Sequence, residues 1–200
     1  MSAPVFITAA AISAELHQAM LEARGLALTA KNARALAVRA GSRTVGFRAI
    51  TDFIEELAST IIRQSQNINV LAEHLSQQAV NAWRADMAGK HFDWVTTQNS
   101  QYLTSLAISI EQCKAQQRAL SLELQKGINQ LTDQLEESRK QIRTANLIAT
   151  SSHVEASSAG EFRRQLEVIA DTIRATAGQI GIHLTKANAL LSQSKKGRTA

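Results

Sequence analysis

Apolar residues recur at alternating steps of four and three through most of this chain. That spacing restricts it to helices packed along their length. A first block, from about Ala9 to Ala40, carries the seam Ile12, Leu16, Ala19, Ala23, Leu26, Ala30, Ala33, Ala37, Ala40. A second, from about Phe47 to Asp86, carries Phe47, Ile50, Ile54, Leu57, Ile61, Gln64, Ile68, Leu71, Leu75, Gln78, Ala82. The third, from about Ser100 to Ser158, has Ile128, Leu131, Leu135, Ser138, Ile142, Ala145, Ala149, Ser152, Ala156, Ala159 in its latter half. The fourth, from about Glu161 to Leu191, has Leu166, Ile169, Ile173, Thr176, Ile180, His183, Ala187, Leu190. A helix of forty residues extends ~60 Å and must bury its stripe against partners along that length.

Short breaks at Ala40–Gly46 and at Ala159-Gly160-Glu161 force antiparallel hairpins. Between Met87 and Asn99 the period is lost, and Gly89, Asp93, Thr96, Thr97 and Asn99 supply turn and cap chemistry. The chain therefore reads as one bundle domain over residues 1–200. It comprises a first hairpin at 9–86, a connector at 87–99 and a second hairpin at 100–194. Trp83, Phe92, Trp94 and Tyr102 gather around the connector and read as a hydrophobic plug closing that end.

The hairpins repeat. A shift of 119 residues lays Ile12 on Leu131, Ala37 on Ala156, Gly41 on Gly160, Ile54 on Ile173 and Asp52 on Asp171. Each hairpin leaves one apolar seam it cannot bury alone, and docking the two buries both. The expected fold is all-α: an antiparallel four-helix coiled-coil bundle of two tandem hairpins. Both glycine bends should lie at one end and the connector at the other.

Composition supports this. Only 4% of residues are aromatic, one is proline and 20% are charged, as long helices with narrow seams require. The net charge of +5 is interspersed with acids, apart from Lys195, Lys196 and Arg198. This favours neither nucleic acid nor insertion into a membrane. Cys113 is alone, so no disulfide can form within the chain, as suits a reducing cytoplasm. No run approaches the ~18 apolar residues that would span a bilayer, and Ala3–Ile12 makes a poor leader.

Chemistry-bearing constellations are missing from the sequence. His17, His74, His91, His153 and His183 are scattered, with no two at metal-ligand spacing. No phosphate loop or nucleophile motif occurs. The expectation is a non-enzyme with no catalytic, cofactor or metal site and no small-molecule substrate. His183, Gln64 and Gln78 lie on the seams as polar residues able to fix register.

The bends carry a resemblance. Asn32-Ala33-Arg34-Ala35-Leu36-Ala37-Val38-Arg39-Ala40-Gly41 runs on through Ser42-Arg43-Thr44-Val45-Gly46-Phe47-Arg48-Ala49-Ile50. Asn146-Leu147-Ile148-Ala149, Val154-Glu155-Ala156, Ala159-Gly160-Glu161, Arg164 and Val168-Ile169-Ala170-Asp171 follow in the second hairpin. Both stretches resemble the cytoplasmic signalling tip of methyl-accepting chemotaxis proteins, over roughly 40 residues twice. The family's tip glutamate is matched by Glu155 in one hairpin and by Leu36 in the other. Its tip arginine is matched by Arg39 in one and by Ser158 in the other.

This resemblance implies a cytoplasmic signal-transduction protein without its own membrane anchor. Its tips would contact a chemotaxis histidine kinase, the coupling protein, or other receptors. The contact residues it implies are Asn32, Leu36, Arg39, Arg43, Phe47, Glu155, Glu161 and Arg164. The alternative is a structural helical scaffold without kinase contact. The pairs Gln77-Gln78, Gln116-Gln117 and Glu136-Glu137 lack the small-residue flanks of methylation sites. Near the bends the seams are alanine and serine, which bury little area each. That end should be the more weakly held.

Overall fold

The computed structural model describes residues 5–98 and 103–199, with side chains over 7–41, 44–98 and 105–193. Tyr102 and Asn99, and the side chains of Arg43, Lys195, Lys196 and Arg198, lie outside the described residues. Four helices account for nearly everything described: α1 (Val5–Arg39), α2 (Val45–Thr97), α3 (Leu103–Ser157) and α4 (Arg163–Thr199). Short 3-10 turns at Gly41–Thr44 and Gly160–Phe162 join α1 to α2 and α3 to α4. No strand occurs among the described residues.

Each helix packs on two neighbours. α1 lies against α2 and α4, and α3 lies against α2 and α4. The result is a square, antiparallel four-helix bundle, the fold expected from the repeated hairpins. One apolar core runs through it, from Ile12, Leu75, Leu131 and Leu191 to Ala30, Ile54, Ala149 and Ile173. A separate small cluster closes the bend end. No helix among the described residues is long and apolar enough to cross a membrane.

In α1 and α3 every seam residue but Ala40, which is half-buried, is buried, and Thr8, Ala9, Met20, Leu124 and Gly127 are buried besides. In α2 and α4 the buried stripe is rotated. The fully buried row in α2 is Phe47, Thr51, Ile54, Ala58, Ile61, Ser65, Ile68, Ala72, Leu75, with Ala79 close behind. In α4 it is Leu166, Ala170, Ile173, Ala177, Ile180, Leu184, Ala187, Leu191. Thus Ile50, Gln64, Leu71, Gln78, Ile169, Thr176, His183 and Leu190 sit one position off the centre, half-buried. A helix with two neighbours buries three heptad positions rather than two. The smallest side chain takes the crowded middle, and the larger aliphatic lies on the flank. The same rotation in both second helices is further support for the internal repeat.

Repeat-related core positions often differ in volume. Ala23 corresponds to Ile142, Leu26 to Ala145, Ser65 to Leu184 and Ala72 to Leu191, and all are buried. The two hairpins are alike in backbone and unlike in filling.

The expected connector at 87–99 is helical over residues 87–97. α2 continues to Thr97, and α3 begins again at Leu103. α2 and α3 therefore overhang the rest. Ser13 donates to Asn69 at 3.0 Å, which sets Val5 opposite roughly residue 77 of α2. α4 runs some six residues past that level, to Thr199, and beyond it only α2 and α3 remain. Their own two-helix seam pairs Ala82, Ala85, Gly89 and Phe92 with Leu106, Ile110, Cys113, Gln117 and Leu120. Gln117 Nε2 donates to the Ala85 carbonyl at 3.0 Å, crossing close to Gly89. The small residues Ala82, Ala85 and Gly89 hid this continuation from hydropathy. Trp83 and Trp94 do not join the expected plug: they are 61% and 62% exposed.

Candidate functional site at the paired bends

Gly41 ends α1 with φ 75°, and Gly160 stands just past α3 with φ 61°. Left-handed backbone of this kind suits glycine, which has no Cβ to clash, and it stops a helix within one residue. In the first bend Thr44 is fully buried, and its hydroxyl donates to the Ala37 carbonyl at 2.7 Å. Arg48 Nη2 reaches back to the Gly41 carbonyl at 2.9 Å. In the second bend the corresponding positions are Arg163 and Glu167, which pair with each other at 2.7 Å. The first bend is thus tied to its own carbonyls, the second by a side-chain ion pair.

The two bends lie side by side. Ala33, Ala37 and Phe47 of the first hairpin form one buried cluster with Ala156, Ala159 and Leu166 of the second. Gly46 belongs to the first turn of α2 rather than to the bend. It makes room for Glu155, whose carboxylate fills the space a Cβ would occupy there.

The residues implied by the resemblance divide into three groups. Asn32, Arg39, Glu161 and Arg164 are exposed and free to meet a partner. Leu36 and Glu155 are half-buried, Leu36 against the tip cluster and Glu155 against Gly46. Phe47 is fully buried. It holds the tip together and offers no outward surface. The Arg43 side chain lies outside the described residues.

Sequence reasoning by seam passed over the exposed apolar residues near this end. Val38 and Val45 flank the first bend. Val154 and Val168 stand near the second, with Leu28 and Leu147 further up at positions that correspond in the repeat. Their signal was present in the sequence, since each is an apolar residue off its seam. Scattered exposed aliphatics are ordinary; here several lie toward one end of the rod.

Ion pairs frame the tip. Arg34 meets Asp52 at 2.8 Å and Lys31 meets Glu55 at 3.6 Å between α1 and α2. Between the hairpins, His183 Nδ1 and Glu15 Oε2 are 2.7 Å apart, joining α4 to α1. Ser138 donates to Gln64 Oε1 at 2.9 Å, joining α3 to α2. Gln64 and His183 therefore link neighbouring helices from the flank instead of forming central polar layers. No group of three or more acidic, histidine or cysteine residues among those described could hold a metal ion.

No protein-family model matches the chain, and no curated relative and no solved structure matches it either. Function must therefore be argued from the geometry and from the residues themselves.

Proposed function

We propose that this chain is a chemoreceptor-like signalling protein whose paired bends contact a chemotaxis histidine kinase or its coupling protein. The observation that carries the reading is the tip itself. One chain brings two glycine bends, Gly41 and Gly160, into a common cluster at one end of a four-helix rod. The resemblance to methyl-accepting chemotaxis proteins falls on the two segments that meet there. On this reading the chain imitates alone what two receptor subunits would build together, and it works in the cytoplasm.

The surface around the bends suits protein contact. It mixes exposed charge at Arg39, Glu161 and Arg164 with exposed Val38, Val45 and Val154. Interfaces favour such apolar centres with polar rims. The alanine and serine layers beneath it hold the tip less firmly than the Ile/Leu layers further along. A weakly held end can be remodelled by a partner.

The test is affinity capture of purified coupling protein or kinase by the full chain. Arg39→Glu together with Arg164→Glu should weaken capture by ~10-fold or more, since both side chains are exposed and neither supports the core. Trp83→Glu, at the opposite end of the rod, should leave capture unchanged. Capture indifferent to the tip pair would end the proposal.

A further inference from the structure

Between α3 and α4 the bundle surface opens into a groove of about 400 Å³. Buried Ile142 and half-buried Gly178 and Gly181 line its base, and Ile182 stands beside them, 47% exposed. Arg139 and Arg143 of α3 line one side, and Lys186 of α4 lines the other. None of these three cations makes an ion pair or a side-chain hydrogen bond among the described residues.

The first hairpin supplies the comparison. The shift of 119 residues lays Gly181 on Ile62, Gly178 on Ser59, Ile142 on Ala23 and Arg139 on Met20. There Ile62 packs against the core, Met20 is buried, and Arg24 lies over it with Nη2 3.9 Å from the sulfur. Side chains thus stand where the second hairpin has glycines. Gly181 gives room to the larger Ile142, which would lie 3.3 Å from a Cβ there. Gly178 has no such duty, since nothing lies within 4 Å of where its Cβ would be. Glycine weakens a helix interior relative to alanine, so packing does not account for Gly178 in the middle of α4. Its effect is to keep the groove open.

Charge separates the hairpins as well. α3 holds no carboxylate between Glu137 and Glu155, and α4 holds none from Thr172 to Thr199. The corresponding stretches of α1 and α2 hold Glu22, Glu55, Glu56 and Glu73. The acids that bound the basic stretch do not neutralise the groove. Glu137 pairs with Lys140 at 3.6 Å, Asp171 faces His153, and Glu136 stands one turn from Arg139, outside the lining. Glu15 of α1, on the other flank of α4, is held by His183 at 2.7 Å.

We propose that this groove binds an acidic segment of a partner protein. Arg139 and Arg143 are one helical turn apart, ~6 Å along α3. That is close to the spacing of alternate residues in an extended peptide, or of successive turns in a helix. Carboxylates so spaced meet both guanidinium groups, each able to grip a carboxylate through two parallel hydrogen bonds. Lys186 takes a third from across the groove. Ile182 and the notch at Gly178 receive an apolar side chain of the segment. This apolar base favours a peptide over inorganic phosphate or a nucleic-acid backbone, which have nothing to set against it. The groove is open to solvent, so the contact is weak and screened by salt. It does not depend on the paired bends.

The probe is a fluorescein-labelled peptide of repeated Glu-Glu-Leu triplets, titrated with the full chain and followed by fluorescence anisotropy. It should bind with Kd below ~100 µM at ~0.1 M salt and weaken as salt rises. Arg139→Glu with Arg143→Glu should weaken binding ~10-fold or more. Lys114→Glu with Lys126→Glu changes the net charge equally at exposed positions of α3 outside the groove, and should alter binding by under ~2-fold. Gly178→Leu fills the notch and removes no charge. It should weaken binding ~10-fold, while thermal unfolding followed by circular dichroism stays at the parent temperature or rises. No binding at ~1 mM, or equal losses from the two charge pairs, would overturn the proposal. Binding indifferent to Gly178→Leu would overturn it too, leaving only a diffuse basic face. So would tighter binding of inorganic triphosphate or of a polythymidine strand than of the peptide.

Discussion

Asp171 faces His153 across α3 and α4 at 3.1 Å, one internal repeat along from the 2.8 Å pair of Asp52 with Arg34. Both carboxylates are shifted by the same 119 residues as the glycine bends, and both meet a basic side chain of the preceding helix. The geometry of the first hairpin is thus reproduced in the second, although arginine has become histidine. The contacts differ in quality. His153 Nε2 lies within ion-pair range of Asp171 but makes no hydrogen bond there.

These pairs mark the repeat more than they stabilise it. Both aspartates are over half exposed, and exposed pairs contribute ~0–1 kcal/mol. Asp52→Ala and Asp171→Ala should each lower the unfolding free energy by under ~1 kcal/mol in urea titrations. A loss of several kcal/mol would mean the tip depends on them.

The glycine bends should be more demanding. Gly41 has open space where a Cβ would go, but its φ of 75° penalises any other residue. Gly41→Ala should cost ~1–2 kcal/mol through the backbone alone, and Gly41→Asn should cost less, since asparagine tolerates that region. Equal losses for the two would contradict a conformational origin.

Gly46 tests a different cause. A Cβ there meets the flexible end of Glu155 rather than backbone, so Gly46→Ala should displace that carboxylate into solvent. Alanine also favours the helix by ~1 kcal/mol. Stability should therefore hold or rise slightly, while the Glu155 side-chain resonances move in NMR spectra. Gly127→Ala is the contrast. Its Cβ runs into buried Leu75 in the core, and overpacking costs ~1–3 kcal/mol, enough to offset the helical gain.

The rotated seam can be checked directly. Ala58 and Ala177 correspond in the repeat, and both are fully buried in the centre. Ala58→Leu and Ala177→Leu should each destabilise by ~1–3 kcal/mol in thermal or chemical unfolding. Ile50→Leu, on the flank, should cost under ~1.5 kcal/mol. If Ile50 proved the more sensitive position, the sequence seam would be the true core row.

Phe47 separates support from contact at the tip. It is wholly buried, so Phe47→Ala should cost ~3–5 kcal/mol and loosen both bends together. Hydrogen exchange of the amides around residues 37–47 and 156–166 would report this. Loss of partner binding without loss of protection would instead place Phe47 at the partner's surface.

Heptad spacing made the fold legible because a coiled bundle writes its core into one-dimensional order. The seam named in α1 and in the latter half of α3 lies on the buried row. α2 and α4 could not be read so, since Ala58, Ala72 and Ala177 look neutral beside Leu57, Leu71 and Thr176, and only packing against two neighbours selects the smaller residue for the middle. The overhang of the third block follows from its length, but the continuation of α2 past Asp86 was missed because Ala82, Ala85 and Gly89 bury by being small. At the tip, sequence marked Asn32, Arg39, Glu161 and Arg164 where they are exposed, but it could not separate the outward-facing residues from Phe47, which has the same neighbours in the chain.

The mismatched filling of the two hairpins has an evolutionary sense. A subunit that pairs with an identical copy must keep every core position compatible with itself. Here a bulky Ile142 answers a slight Ala23, and Leu191 answers Ala72. Neither half can now drift back, or be swapped for a duplicate of the other, without leaving a hole or a clash. Joined in one polypeptide, the two halves need not match each other, and each bend can carry a surface of its own.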